Sequence, residues 1–332
     1  MDKLNIAVLG DGGWGTTLAI LLHNKGNSVN LWGAFPKYVA YLKQKRINIR
    51  FLPGIKIPRN LEITADLRRA IESKDLIILA IPSQYMRRVL KRIKNYSISG
   101  KTAFLSVTKG LEIKTLLRMS QVIQEELGKI KLAVLSGPTI AYEVIHGIPT
   151  TAVVGSQSKY LRMFIARLFN SERFRIYTNN DVIGVELGGS LKNIIAISCG
   201  ISDGLGFGTN TKAALLSRGL TEISRLGIKM GASATTFAGI SGLGDLVTTC
   251  ISPFSRNRYL GEQIAKGKKL KQVIDKMKMV AEGVPTAKAA YRLTLKYKVD
   301  MPITKEVYFV LYRNKNPKKA VRDLMTRTLK EE

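Results

Sequence analysis

The chain has 332 residues, enough for two domains with cores of their own, and 45% of them are hydrophobic, the composition of an ordinary globular protein. No uninterrupted apolar run reaches the ~20 residues that span a bilayer. Met1-Asp-Lys leads straight into a strand with no signal peptide between, and Cys199 and Cys250 are too few for a disulfide framework or a metal site, so a metal-free cytoplasmic protein is expected. Against 24 aspartate and glutamate residues stand 53 lysine and arginine residues, a formal net charge of +29. The basic residues are dispersed and no long basic run is interleaved with aromatics, so the charge reads as solvated surface; nucleic-acid binding is the competing reading from another class of function.

The first element is an apolar strand, Ile6 to Leu9, that runs into Gly10-Asp-Gly12-Gly13-Trp14-Gly15 and then into a helix with Leu18, Leu21 and Leu22 at helical spacing. Gly10 permits the turn, Gly12 lets a pyrophosphate approach the backbone, and Gly15 lets the helix close on the sheet, which is how a dinucleotide is cradled at a helix N-terminus. Strand two is Ser28 to Trp32. An NAD-specific fold carries a carboxylate just after it, whereas this chain reads Gly33-Ala-Phe-Pro-Lys37, so a 2′-phosphate is tolerated and Lys37 is a candidate partner. Residues 44–58 form a polar connection marked by Pro and Gly. Further strands are expected at 75–81, 102–108, 132–136, 150–154 and 173–177. Lys109 and the turn from Gly137 to Thr139 follow two of them, at the carboxyl rim where open parallel sheets bind ligands.

From Asp181 the pattern turns helical, with helices expected over Asp181–Ser202, Thr211–Leu226, Ala232–Phe237, Gln263–Lys278, Pro285–Lys296 and Ile303–Tyr312. The expected fold class is therefore α/β: a Rossmann-like, doubly wound N-terminal domain (1–180) followed by an all-α C-terminal domain (181–332). Within the first long helix Gly188 and Gly189 each cost about 1 kcal/mol against alanine, which points to something approaching closely. Lys192 lies one turn beyond on an otherwise apolar helix, where burial lowers an ammonium pKa toward the range for proton exchange. His23 and His146 read as surface residues, which leaves the lysine as the better proton donor for a ketone reduction. Asp245, in the glycine-rich Gly239-Ile-Ser-Gly-Leu-Gly-Asp, is either its electrostatic partner or the N-cap of the next helix. Ser255-Arg256-Asn257 groups a guanidinium with hydroxyl and amide donors, as phosphate recognition requires.

These segments closely resemble the bacterial-type NAD(P)-dependent glycerol-3-phosphate dehydrogenase family: GDGGWGTTLA (10–19), VTKGLE (107–112), SGPTIAYEV (136–144), GVELGGSLKNIIAI (184–197), the stretches 200–227 and 239–258, and AEGVPTAK (281–288). The resemblance implies an NAD(P) cofactor held by Gly10, Gly12, Gly13, Trp14, Gly15, Lys109 and Ala141, with Arg256, Val280 and Glu282 from the helical domain. It implies Lys192 as proton donor and acceptor, tuned by Asp245. Substrate and phosphate would be held by Lys109, Gly137, Thr139, Lys192, Asp245, Ser255, Arg256 and Asn257. Gly13 stands where the family often has serine, Thr139 replaces a usual serine, and Ala34 and Phe35 stand where many members have a basic residue. The expected partner is a small molecule, dihydroxyacetone phosphate or glycerol 3-phosphate. Nucleic acid and stable membrane insertion are not expected, and a homodimer is an allowed assembly. A related two-domain hydroxyacid dehydrogenase is disfavoured because Ala196, one turn after the lysine, is where such enzymes place asparagine.

Overall fold

A computed structural model describes residues 3–277, 279–329 and 331. Lys278, the expected end of one helix, lies outside them. Two units divide the chain: residues 1–109 with 118–186, and residues 110–117 with 187–332. The division expected at 180/181 differs by six residues and by the excursion 110–117, which groups with the helical unit; Arg292 donates to the Ile113 carbonyl at 2.8 Å within that unit.

Among the described residues the first unit contains ten strands: β1 (Asn5–Leu9), β2 (Ser28–Trp32), β3 (Ile47–Asn48), β4 (Leu52–Lys56), β5 (Glu62–Thr64), β6 (Leu76–Leu79), β7 (Ala103–Ser106), β8 (Lys131–Ser136), β9 (Thr150–Gly155) and β10 (Phe174–Asn179). Eight form one sheet in the order β10-β9-β8-β7-β6-β1-β2-β5, and β3 and β4 form a separate antiparallel pair. Every pairing in the large sheet is parallel except β8 with β9. The central strands are apolar because helices cover both faces of such a sheet: Ile6 to Leu9 and Leu76 to Leu79 are fully buried. The order reverses at β1, whose carboxyl end carries the glycine loop and the helix Gly13–Asn24. This is the Rossmann-like arrangement expected. Two features differ from expectation: the polar connection expected over 44–58 contains the β3–β4 hairpin, and β5 is an additional edge strand.

The second unit is helical. Among its helices are Val182–Gly204, which crosses the unit boundary, Thr209–Lys229, Ala234–Ala238, Asp245–Ile251, Arg256–Ala265, Leu270–Lys276, Gly283–Tyr297, Pro302–Tyr312 and Pro317–Met325. The single helix expected over 263–278 is two, separated at Gly267, whose φ of 88° is left-handed. The helix Pro317–Met325 is not among those expected. Val182–Gly204 is long and apolar enough to cross a membrane by length and composition, although Glu186, Lys192, Asn193 and Asp203 interrupt its apolar residues; 83% of its most apolar window is buried inside the protein, as in a core helix.

A buried acid ties two helices of this unit together. Glu222, on Thr209–Lys229, is 2% exposed and accepts from the amides of Ile303 (2.6 Å) and Thr304 (3.0 Å) and from the Thr304 hydroxyl (2.9 Å), capping the helix Pro302–Tyr312 from a neighbouring element. Desolvation pushes its pKa up to about 7 from 4.5, outweighing those hydrogen bonds. Its proton is thus held more tightly in the folded than in the unfolded state. The associated stability is full below about pH 4.5 and is lost as the pH rises through 7, a total of about 3 kcal/mol. The difference in urea-unfolding free energy between the wild type and Glu222→Gln, measured from pH 4.5 to 8, is expected to shift against the wild type over that window; a pH-independent difference refutes this ionisation.

Candidate active site

The glycine loop meets the requirements of a pyrophosphate seat. Gly10 has a φ of 125°, and a Cβ there would lie 2.3 Å from the Ala80 carbonyl oxygen, so the turn off β1 admits only glycine. A Cβ on Gly15 would lie 1.9 Å from the Gly10 carbonyl oxygen. At Gly12 a Cβ would meet nothing within 4 Å, so the space beside this residue is open. Gly12 is also the N-cap of Gly13–Asn24 and offers no side-chain cap, while helical bonding begins at Thr16 N to Gly12 O. The first-turn amides and the positive end of the helix dipole are therefore available to an anion. The loop fits a dinucleotide diphosphate. Trp14 has a buried indole N–H with no hydrogen-bond partner, and Ala141 is brought to the same helix by the Thr17 hydroxyl, which donates to its carbonyl at 3.3 Å.

The corner after β2 is not as the linear sequence reads. Asp11 reaches it from the glycine loop: a Cβ on Gly33 would lie 2.4 Å from Asp11 Oδ2, a buried oxygen with no hydrogen-bond partner. Burial raises this carboxyl's pKa, against a smaller lowering by Arg50. Lys37 is exposed in the first turn of the next helix. On the same carboxyl rim, beyond β7 and β8, Lys109 Nζ donates to the Gly137 carbonyl (2.6 Å) and the Thr139 hydroxyl (3.2 Å), so these three sequence candidates form one cluster.

In the helical unit, Lys192 is 5% and Asp245 1% exposed. The Lys192 ammonium donates to Asp245 Oδ1 and, at 2.6 Å, to the Thr249 hydroxyl, which itself donates to the Asp245 carbonyl at 2.7 Å. Asp245 is the first residue of its helix and Gly244 the N-cap, so its carboxylate serves the lysine and is not a cap. Thr249 was missed by sequence reasoning, although its i+4 spacing from Asp245 places both on one helix face.

Nearby in sequence, Ser255 caps Arg256–Ala265 by accepting from Arg258 N at 3.3 Å. Arg256 Nη1 donates to the Val280 carbonyl at 2.8 Å, and Glu282 is the N-cap of Gly283–Tyr297 and acts electrostatically on Arg256. Asn257 is 7% exposed; its Nδ2 donates to Asn193 Oδ1 (2.9 Å) and its Oδ1 accepts from Gly283 N (2.9 Å), so it braces the Arg256 turn against the residue following Lys192. The histidines lie elsewhere: His23 bonds Asn60, and His146 bonds the Tyr142 carbonyl. Among the described residues no group of three or more His, Cys, Asp or Glu is placed to hold a metal.

A buried lysine–carboxylate–hydroxyl cluster and an uncapped glycine-rich helix start are the equipment of a nicotinamide-dependent carbonyl reductase. Comparison with known proteins narrows this. Residues 5–161 match the family described as NAD-dependent glycerol-3-phosphate dehydrogenase N-terminus, and residues 181–322 the one described as its C-terminus. The chain is 48% identical over 332 residues to the glycerol-3-phosphate dehydrogenase (NAD(P)+) of Chlorobium phaeobacteroides strain BS1, covering 99% of each chain. It is 48% identical over 325 residues to the protein so named in Bacillus pumilus strain SAFR-032, covering 97% of this chain and 94% of that one. A crystal structure of glycerol-3-phosphate dehydrogenase from Coxiella burnetii superposes with a TM-score of 0.95 at 38% identity, over 98% of this chain and 99% of that one. The chain belongs to the NAD-dependent glycerol-3-phosphate dehydrogenase family.

Proposed function

We propose that this protein catalyses the reversible reduction of dihydroxyacetone phosphate to sn-glycerol 3-phosphate with NAD(P)H, in the cytoplasm, supplying glycerophospholipid synthesis. The observation that carries the reading is the buried Lys192–Asp245–Thr249 cluster in a chain of this family. When bound, the nicotinamide supplies or accepts the hydride at C2 of the substrate.

In this reading the first unit binds the dinucleotide through Gly10, Gly12, Gly13, Trp14 and Gly15, with Lys109 and Ala141 beside it, and Arg256, Val280 and Glu282 complete its binding. Lys192 delivers a proton to the developing C2 alkoxide in reduction and removes it in oxidation. Asp245 pairs with the ammonium and aims it, and Thr249 fixes its second hydrogen bond. Ser255, Arg256 and Asn257 receive the phosphate at a helix start, where amides, dipole and guanidinium share one sign. Lys109, Gly137 and Thr139 receive the remainder of the substrate.

The test is oxidation of NADH and NADPH, run in parallel, with dihydroxyacetone phosphate, unphosphorylated dihydroxyacetone and a panel of 2-oxo acids. Turnover is expected with the phosphoester and at least about 10²-fold less with dihydroxyacetone, because a charge-assisted anchor and the positioning it gives are lost. Turnover of an oxo acid with none on the phosphoester overturns the assignment.

A further inference from the structure

The hairpin β3–β4 carries a side chain that the reading above leaves without a role. Asn48, at the end of β3, is fully buried. Its Nδ2 donates to the Asp11 carbonyl (2.8 Å) and to the Thr16 hydroxyl (2.7 Å), and its Oδ1 accepts from the Tyr38 hydroxyl (2.7 Å) and the Phe51 amide (3.3 Å). The orientation of the amide is fixed by its partners, since the Asp11 carbonyl can only accept and the Phe51 amide can only donate. One side chain therefore ties the glycine loop, the helix after it, the helix Pro36–Lys45 and the hairpin tip together. The hairpin also covers the loop with backbone: a Cβ on Gly13 would lie 2.7 Å from the Phe51 carbonyl oxygen.

The bond to Asp11 has a directional consequence. The peptide joining Asp11 to Gly12 is planar and trans, so drawing the Asp11 carbonyl toward Asn48 aims the Gly12 N–H the opposite way, away from the hairpin. Glycine-rich backbone otherwise samples many conformations, and fixing one of them opposes binding unless it has been fixed beforehand.

We infer that Asn48 is a positioning residue for the dinucleotide: it holds the peptide between Asp11 and Gly12 in the orientation that receives the pyrophosphate, making the hairpin part of the cofactor site. This rests on the reading of the glycine loop as the dinucleotide's seat. Because the pyrophosphate is common to both cofactors, the effect applies to NADH and NADPH alike.

The test is Asn48→Asp, nearly equal in shape, which sets a carboxylate oxygen against the Asp11 carbonyl. NADH and NADPH are titrated onto the full-length protein by nucleotide fluorescence, with Tm measured without nucleotide and steady-state kinetics alongside. Dissociation constants for both nucleotides are expected to rise about 10-fold or more and by similar factors, while kcat at saturating nucleotide falls much less. A lowered Tm with unchanged dissociation constants overturns the inference, because it leaves Asn48 only a structural tie. If Asn48→Asp does not fold, Asn48→Ala decides. It removes the donor to the Asp11 carbonyl without setting a charge against it, is expected to weaken both nucleotides about threefold or more, and unchanged binding overturns the inference. A wild-type protein that binds neither nucleotide refutes the dinucleotide reading itself, which is a distinguishable outcome.

Discussion

Lys192→Met is expected to lower kcat by about 10³-fold or more while the dissociation constant for NADH stays within about threefold of the wild type. The methionine retains most of the side-chain volume, so the loss is that of the ammonium. General acid–base catalysis by a positioned group is worth about 10²- to 10⁴-fold, and the ammonium also places positive charge where the alkoxide develops, so the upper part of that range applies. A second effect accompanies it. Asp245 is 1% exposed and loses its ionic partner, and removing one half of a buried pair costs about 3–5 kcal/mol, so Tm falls as well. The two effects separate in Lys192→Met/Asp245→Asn, which removes the stranded charge: stability recovers in part and turnover does not. Nucleotide titration by fluorescence, thermal melts and single-turnover rates measure the three quantities. Turnover at the wild-type level in either variant removes Lys192 from the proton transfer.

Much of this site is legible in the linear sequence because its parts lie within single elements. The strand, glycine turn and helix from Ile6 to Leu22 are contiguous, and the roles of Gly10 and Gly15 follow from local chemistry that the observed close approaches match. Lys192 stands out as the lysine of a largely apolar helix, and the glycine-rich turn that runs into Asp245 supplies its partner. What was not legible depends on tertiary placement. Thr249 and Asn193 are ordinary polar residues until the helices bearing them pack. Asp11 reaches the corner after β2 from another strand's loop, so the residues that follow β2 are silent about it. The β3–β4 hairpin shows in the linear sequence only as a polar connection because β3 has two residues and β4, Leu52–Lys56, contains both Pro53 and Gly54, residues depleted from strands. The apolar run at β9 marks a buried strand but carries no information on direction, so its antiparallel pairing with β8 emerges only from the sheet.

Gly188→Ala is expected to lower kcat by about 10- to 10²-fold without weakening nucleotide binding, although the residue touches neither substrate nor cofactor in the proposed reaction. The substitution favours the helix by about 1 kcal/mol on propensity alone. That gain is opposed by packing. A Cβ at 188 would lie 2.5 Å from the Ser241 carbonyl oxygen and 3.1 Å from its carbon, and these are backbone atoms that no rotamer change can move aside. Ser241 lies in the single π-helical turn Ile240–Gly244, which feeds directly into Asp245. Restoring ordinary contact at 3.4 Å pushes that turn outward by roughly 1 Å, and Asp245 moves with it relative to Lys192 on the same helix as the new methyl. Overpacking of this kind costs about 1–3 kcal/mol, more than the propensity gain, so Tm is expected to fall as turnover does. The closely approaching group that the two glycines called for is therefore, at Gly188, the protein's own backbone, which sets the separation of the lysine and its carboxylate. A Gly188→Ala variant with wild-type kcat and a raised Tm shows that propensity wins and that the turn can yield without disturbing the pair.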